Sequence, residues 1–197
     1  MALPTINNLK NRLGIGARAN LFKVSLVWPE NAAANVKVLS DAASILCKSA
    51  AIPAFTVGVI EVPFRGGRRI KVPGDRTFGD WTTTFLANDS QSLRAGFNAW
   101  LSFIRLENYD ENAIRSNNGK GFDYLCDISV EHLNQSGETI RTYKLFDCFP
   151  TDVGAIDLSY DSTDTISEFT VTFQYHSMTA FQTSAISSSD VELNTIV

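Results

Sequence analysis

Apolar and polar positions alternate with a period of two along much of the chain, which is typical of β-strands with one buried face. In residues 22–28, Phe, Val, Leu and Trp alternate with Lys and Ser until Pro29 ends the run. Two further β-rich runs, 55–63 and 68–72, flank Gly66-Gly67, a pair that can take the positive φ of a tight turn. These three segments predict one strand followed by a β-hairpin.

The hairpin is expected to end at Pro73-Gly74, because proline has no N–H to donate to a strand ladder. Residues 77–85 then resume an extended pattern, which places Trp81, Thr83 and Phe85 on one side. A third strand is therefore predicted after the hairpin.

The second half of the chain contains two more pairs of alternating runs. Residues 124–132 and 138–146 are separated by turn-forming residues, and so are residues 156–160 and 169–175. Each run has one apolar face and one face of Ser, Thr, Gln and carboxylates, as in an antiparallel sheet that packs on one side. The pattern predicts a second and a third hairpin.

One segment has a clear helical period. Asn88, Asp89 and Ser90 supply capping side chains for a helix over about 89–105. Its apolar residues recur at helical spacing, and they are Leu93, Phe97, Trp100, Leu101 and Ile104. Such a stripe is more often core than a partner groove, so we expect it to pack on the sheet. The predicted fold is mainly β, an antiparallel β-sandwich or barrel with one flanking α-helix.

The remaining segments have no sustained period. Residues 1–19 are predicted to form an N-terminal arm, 20–176 a single β domain, and 177–197 a weakly structured or exchanged tail. Residues 30–41 are interpreted as a polar connection and about 106–122 as a long surface loop.

Charge is distributed unevenly along the chain. All seventeen Lys and Arg residues lie at or before Lys144, whereas residues 145–197 contain eight acids. The uneven charge favours head-to-tail self-association over a two-fold dimer, with a simply solvated acidic end as the alternative. The hairpin is basic, and Asp75 is its only acid near enough in sequence to pair locally. The candidate contacts between subunits are Arg65, Arg68, Arg69, Lys71, Arg76 and Asp75.

Residue usage argues against several function classes. The two histidines lie outside any Ser-His-Asp or Cys-His constellation, so no catalytic site, cofactor or metal site is predicted. The three cysteines form no C-x-x-C pair, which indicates buried free thiols. No apolar run is long enough to cross a bilayer, and no secretory signal is recognised at the start. A sequence pI of about 5.2 argues against tight DNA binding.

Three stretches of the sequence resemble a known protein family. CKSAAIP, RRIKVPGDRTFGDW and FPTDVGAIDLSYDSTDTISEFTVTF resemble the tail tube proteins of contractile-tailed, T-even-like bacteriophages, in the family's order and over roughly residues 20–175. The resemblance implies a structural virion protein whose hexameric rings join their sheets into an inner β-barrel and stack into a tube. It also implies assembly in the host cytoplasm and a low-adhesion conduit for dsDNA ejection. The implied partners are the chain itself, the sheath, baseplate, tail-terminator and tape-measure proteins, and DNA in passage; no membrane is implied.

The lumen of such a tube would repel phosphates if carboxylates faced it. The acids that lie out of phase with the packing residues of their predicted strands are the candidates: Asp127, Glu131, Asp157, Asp161 and Glu168. Two alternatives remain: a tube of a type VI secretion system or phage-derived contractile particle, and, more remotely, a carbohydrate-binding β-sandwich.

Overall fold

The computed structural model describes residues 5–14, 16–29, 36–109 and 123–182, and this part of the chain is mainly antiparallel β. The predicted fold class is confirmed. In chain order the elements are α1 (Ile6–Leu13), β1 (Phe22–Leu26), α2 (Val36–Leu46), β2 (Cys47–Ala50), β3 (Phe55–Phe64), β4 (Arg68–Phe78), β5 (Trp81–Leu86), α3 (Ser92–Tyr109), β6 (Cys126–Leu133), β7 (Thr139–Val153), β8 (Glu168–Gln174) and β9 (Ser177–Gln182).

The long strand β7 connects the two halves of the main sheet. The strand order is β1-β6-β7-β8-β5-β2, and β9 also pairs with β7. The first half of β7 pairs with β6 and β9, and the second half pairs with β8. Asp147, at φ 55°, lies where the partners change. Because two β7 residues oppose Asp127 of β6 there, the strand bulges and bends.

The core lies between the sheet and the helices. Leu93, Phe97 and Trp100 of α3 are fully buried, which confirms that the helical stripe belongs to the core. The ring of Phe97 lies 4.7 Å from Trp28 and 5.9 Å from Phe173, measured between ring centroids. Aromatic side chains from α3, from β8 and from the segment just after β1 therefore fix how the helix sits on the sheet.

Helix α2 packs closely against α3, and this contact requires a glycine. A Cβ built on Gly96 would lie 3.0 Å from the side chain of Leu39 and 3.3 Å from that of Trp28. Leu39 and Ala43, one turn apart, are buried among the α2 side chains that the structure describes. Half of this helix lies in the segment interpreted as a polar connection. That interpretation was wrong, since its alanine-rich composition hides a short helical stripe.

Two predictions about single elements also need correction. Residues 6–13 of the predicted arm form the helix α1, whose apolar residues are all exposed. Residues 177–182 form β9, although the alternation weakens there and a tail was predicted. Helix α3 extends to Tyr109, past the predicted start of the loop, and residues 110–122 lie outside the described part of the chain.

The strand pairing differs from the prediction in the last third of the chain. The hairpins β3–β4 and β6–β7 are confirmed, with Gly66 and Gly67 at φ 82° and 75°. Residues 156–160 form no strand, and β8 pairs with β5 and β7 instead. Alternation shows that a segment suits a sheet, but it does not select the partner strand.

The hairpin is longer than expected because β4 passes through Pro73-Gly74 and ends at Phe78. Pro73 lies opposite Val59 in a sheet of only two strands. Every strand of such a sheet is an edge strand, where a missing N–H can face outward without loss of a ladder bond.

Candidate assembly surface

The hairpin β3–β4 forms a separate two-stranded sheet beside the main one. Every residue of β3 is exposed to solvent. Its base is attached by two hydrogen bonds: Trp81 Nε1 donates to Ala51 O at 2.7 Å, and Tyr175 Oη donates to Ala54 O at 3.1 Å. A two-stranded hairpin in water is only marginally stable by itself, so the free part needs a further contact.

One face of the hairpin's outer part is apolar. Residues opposite each other in an antiparallel pair share a face, and Ile60↔Val72 and Val62↔Ile70 are such pairs. With Phe64, these side chains are between 42% and 62% exposed. We call this set the apolar hairpin face; it consists of Ile60, Val62, Phe64, Ile70 and Val72. The sequence already indicated this face, because these apolar residues alternate with charged ones. The prediction of contact residues used only the charged ones.

The opposite face of the same part is charged and largely paired within the hairpin. Arg69 Nη1 lies 2.7 Å from one carboxylate oxygen of Glu61, and Lys71 Nζ lies 3.8 Å from the other. The prediction that Asp75 is the only local acid was therefore wrong. Glu61 is ten residues from Lys71 in sequence, but the register places it directly opposite.

The other predicted contact residues are spread along the hairpin. Arg65 lies in the turn, and Arg68 lies opposite Phe64 at the rim of the apolar hairpin face. Arg76 stacks over the ring of Phe55 at 4.3 Å near the base, and Asp75 belongs to the bulge beside Gly58. Among the described residues, no ion pair involves Arg65 or Arg68. These two cations are therefore the ones available at the tip.

The candidate lumen carboxylates lie on different parts of the structure. Asp127 and Glu131 lie on the face of β6 away from the core, where Asp127 Oδ2 is 3.0 Å from Lys144 Nζ. Glu168 pairs with Lys48 on another part of the sheet. The last two, Asp157 and Asp161, lie in the connection between β7 and β8. Which face lines a lumen stays a prediction.

Two thiols lie opposite each other inside the core. Cys126 and Cys148 are direct partners in the β6–β7 ladder, and both are buried and free. Burial raises the pKa of the Cys148 thiol to about 12 and raises the pKa of Cys126 well above its usual value. Cys47 is half-buried, and burial raises its pKa to about 11. These thiols are poor nucleophiles at neutral pH, since the reactive thiolate is disfavoured.

The described residues offer little for catalysis or metal binding. His132 Nε2 lies 3.0 Å from the carbonyl oxygen of Arg18, so the ring is used in a structural hydrogen bond. No group of three or more His, Cys, Asp or Glu side chains in this part of the chain is arranged to hold a metal ion. The described helices include none that is both long and apolar enough to cross a membrane.

Comparisons with known proteins relate the fold to tubes. The sequence matches the phage tail tube protein family over residues 17–180. It is 32% identical over 157 residues to the tail tube protein gp19 of Enterobacteria phage T4, covering 79% of this chain and 86% of that protein. The tail tube protein of Serratia phage KSP90 is 24% identical over 176 residues, covering 88% and 95%. A chain in the sheath–tube complex of the extracellular contractile injection system PVC, in its extended state, has the same fold, with a TM-score of 0.58 and 16% identity; 91% of this chain and 99% of that chain are covered.

Proposed function

This chain belongs to the phage tail tube protein family, and we propose from this that its copies build the inner tube of a contractile tail through the apolar hairpin face. The protein is thus a structural component of a virion. The observation that carries the proposal is a free hairpin with five large apolar side chains in water. Covering such surface stabilises an assembly by about 25 cal/mol per Å².

A second copy of the chain is the partner proposed for this face. Arg65 and Arg68 flank it, and the last part of the chain is rich in acids, so two copies placed head to tail would bring opposite charges together. Such a contact uses two different surfaces, and repeating it extends an open stack instead of closing a dimer. Stacking of this kind is what a tube requires.

Ring closure would use the sheet edges. Strands β1 and β2 end the main path, so each has a row of backbone groups that no described neighbour pairs. Pairing with adjacent copies would satisfy these groups and remove edges that otherwise favour aggregation. We propose that six copies close in this way, with their sheets continuous around a lumen.

The proposed cargo is double-stranded DNA that crosses the lumen without sticking. A face such as that of Asp127, Ser129 and Glu131 presents carboxylate and hydroxyl oxygens, and carboxylates repel phosphates. Lys144 lies 3.0 Å from Asp127 and Lys23 lies opposite Glu131 in the β1–β6 ladder, so this face would be polar with little net charge and would give phosphates few free cations to bind. Tape-measure, sheath, baseplate and terminator proteins would be partners of the assembled tube. Its role would be non-catalytic, and its assembly would take place in the host cytoplasm.

A substitution on each face of one strand tests the assembly role of the hairpin. Val62→Asp places a charge on the apolar hairpin face, whereas Val59→Asp places the same charge on the opposite face, where Val59 is 62% exposed. We expect Val62→Asp to abolish tubes in negative-stain microscopy while circular dichroism shows an intact fold. Val59→Asp should leave tubes in place. Normal tubes from Val62→Asp would refute the role of this face.

The basic residues provide a second matched pair in the same assay. Arg68→Glu removes a cation that pairs with no described acid. Arg69→Glu instead removes a cation that already pairs with Glu61 of the same hairpin. If the cations act on a neighbouring copy, Arg68→Glu should impair assembly the more strongly. A stronger effect at Arg69 would mean that its charge acts through the hairpin's own geometry.

A further inference from the structure

Helix α1 has an apolar stripe that no described part of its own chain covers. Ile6, Leu9 and Leu13 recur at helical spacing and are 69%, 61% and 63% exposed. None of the eight residues of the helix is buried, and its charged side chains, Lys10 and Arg12, are both basic. A helix this short is marginal in water unless its stripe packs against something.

The connection between β7 and β8 has the complementary chemistry. Residues 154–167 contain no helix or strand, and three of their large apolar side chains project into water. Leu158 and Ile166 are 84% and 68% exposed, and Tyr160 is fully exposed. Their charged side chains are all acidic: Asp157, Asp161 and Asp164. The loop also bounds a cleft of about 630 Å³. We call residues 154–167 the acidic loop.

Helix α1 cannot reach the acidic loop of its own chain. Its last residue, Leu13, lines a cleft beside the β6–β7 turn together with Leu133 and Asn134. The segment that follows the helix is held at the same turn, because the Leu133 N–H donates to Leu21 O at 2.9 Å and His132 Nε2 lies 3.0 Å from Arg18 O. The acidic loop begins only after the other end of β7. The first half of β7, residues 139–146, is by itself about 26 Å long at about 3.3 Å per residue. A bulge bends a strand without reversing it, and α1 is only about 12 Å long.

We propose that α1 of one copy docks into the acidic loop of a second copy, as a contact between successive layers of the tube. Two cations would meet three carboxylates, and three aliphatic side chains would meet three exposed apolar ones. The contact is head to tail, because the two surfaces lie at opposite ends of β7, and it therefore extends a stack. The inference rests on the proposed self-assembly, but it concerns surfaces separate from the apolar hairpin face.

Charge exchange tests the contact. Lys10→Glu/Arg12→Glu and, separately, Asp157→Lys/Asp161→Lys should each raise the concentration needed for assembly by about tenfold, measured by sedimentation. All four changes lie on exposed side chains, so circular dichroism should show an unchanged fold. The protein that carries all four changes should assemble within about threefold of the original concentration, since the signs again match.

The same experiment tests whether the acidic loop contacts the hairpin instead of α1. Arg65→Glu/Arg68→Glu combined with Asp157→Lys/Asp161→Lys should remain impaired. Rescue by this combination, and not by the α1 changes, would assign the acidic loop to the hairpin and overturn the proposal. Equal assembly of all variants would also overturn it, while the tube function would stand. An original chain that never assembles would instead refute the tube function itself.

A proximity measurement gives an independent readout. In a Cys47→Ser background, Leu9→Cys and Tyr160→Cys proteins are prepared separately, mixed, and treated with a short bismaleimide. Dimers that contain one copy of each variant are expected in the mixture, with far fewer in either variant alone. The remaining thiols, Cys126 and Cys148, are buried and should not react. Equal yields from the mixture and from the single variants would contradict a specific α1–loop contact.

Discussion

Two buried tryptophans allow one hydrogen bond to be measured against a nearly matched control. Trp28 and Trp100 are 2% and 0% exposed, and their ring centroids lie 5.2 Å apart. Trp100 Nε1 donates to the carbonyl oxygen of Tyr124 at 2.9 Å. Trp28 Nε1 is buried without an acceptor among the described residues. Tryptophan-to-phenylalanine substitution removes similar volume at both sites, but it breaks a hydrogen bond only at Trp100.

The expected difference follows from these contacts. Trp100→Phe should lose about 1 kcal/mol for its hydrogen bond in addition to the packing loss. Trp28→Phe should recover about 1 kcal/mol, because it removes a buried donor that has no acceptor in the described part of the chain. The free energy of unfolding should therefore fall by about 2 kcal/mol more for Trp100→Phe. Trp100→Ala, which also opens a cavity, should cost ~3–5 kcal/mol, a large part of the ~5–15 kcal/mol of a typical domain.

The assay is urea denaturation followed by far-ultraviolet circular dichroism. The Val62→Asp background keeps the subunits apart, since assembly would make stability depend on concentration. The unfolding free energy should fall with urea concentration at the same rate in both variants, so that a difference between their midpoints reflects stability alone. Equal losses, or a larger loss for Trp28→Phe, would refute the reasoning and show that the indole N–H of Trp28 is satisfied in the folded protein.

Two further predictions use the same denaturation assay. A Cβ at Gly154 would lie 2.4 Å from Thr170 Oγ1, so Gly154→Ala should destabilise the fold by about 1–3 kcal/mol, and adding Thr170→Ala should restore part of the loss. If Thr170→Ala restores no stability, the group that the new Cβ meets is the backbone of β8. Because the pKa of Cys148 is raised from 9.0 to about 12, the unfolded chain loses this proton first, so stability is full below about pH 9 and falls as the pH rises towards 12. Cys148→Val should make that fall shallower, and an unchanged slope would mean that other groups, such as Tyr175, cause it.

The sequence by itself determined the features that depend on near neighbours. Alternation located β5, β6 and β8 within a few residues, and Gly66-Gly67 marked the hairpin turn, because side-chain direction and positive φ are local properties. The helical stripe around Trp100 was identified as core for the same reason. The family was also recognised from three short stretches of the sequence.

The tertiary structure decided which segments meet. Strand β8 pairs with β5 and β7, and Glu61 neutralises Lys71 across the hairpin, because register brings together residues that are distant in the chain. The exposure of the apolar hairpin face and of α1 is likewise a tertiary fact. A period of two or of 3.6 shows that a side is apolar, but only the packed chain shows whether its own core covers that side or leaves it for another copy.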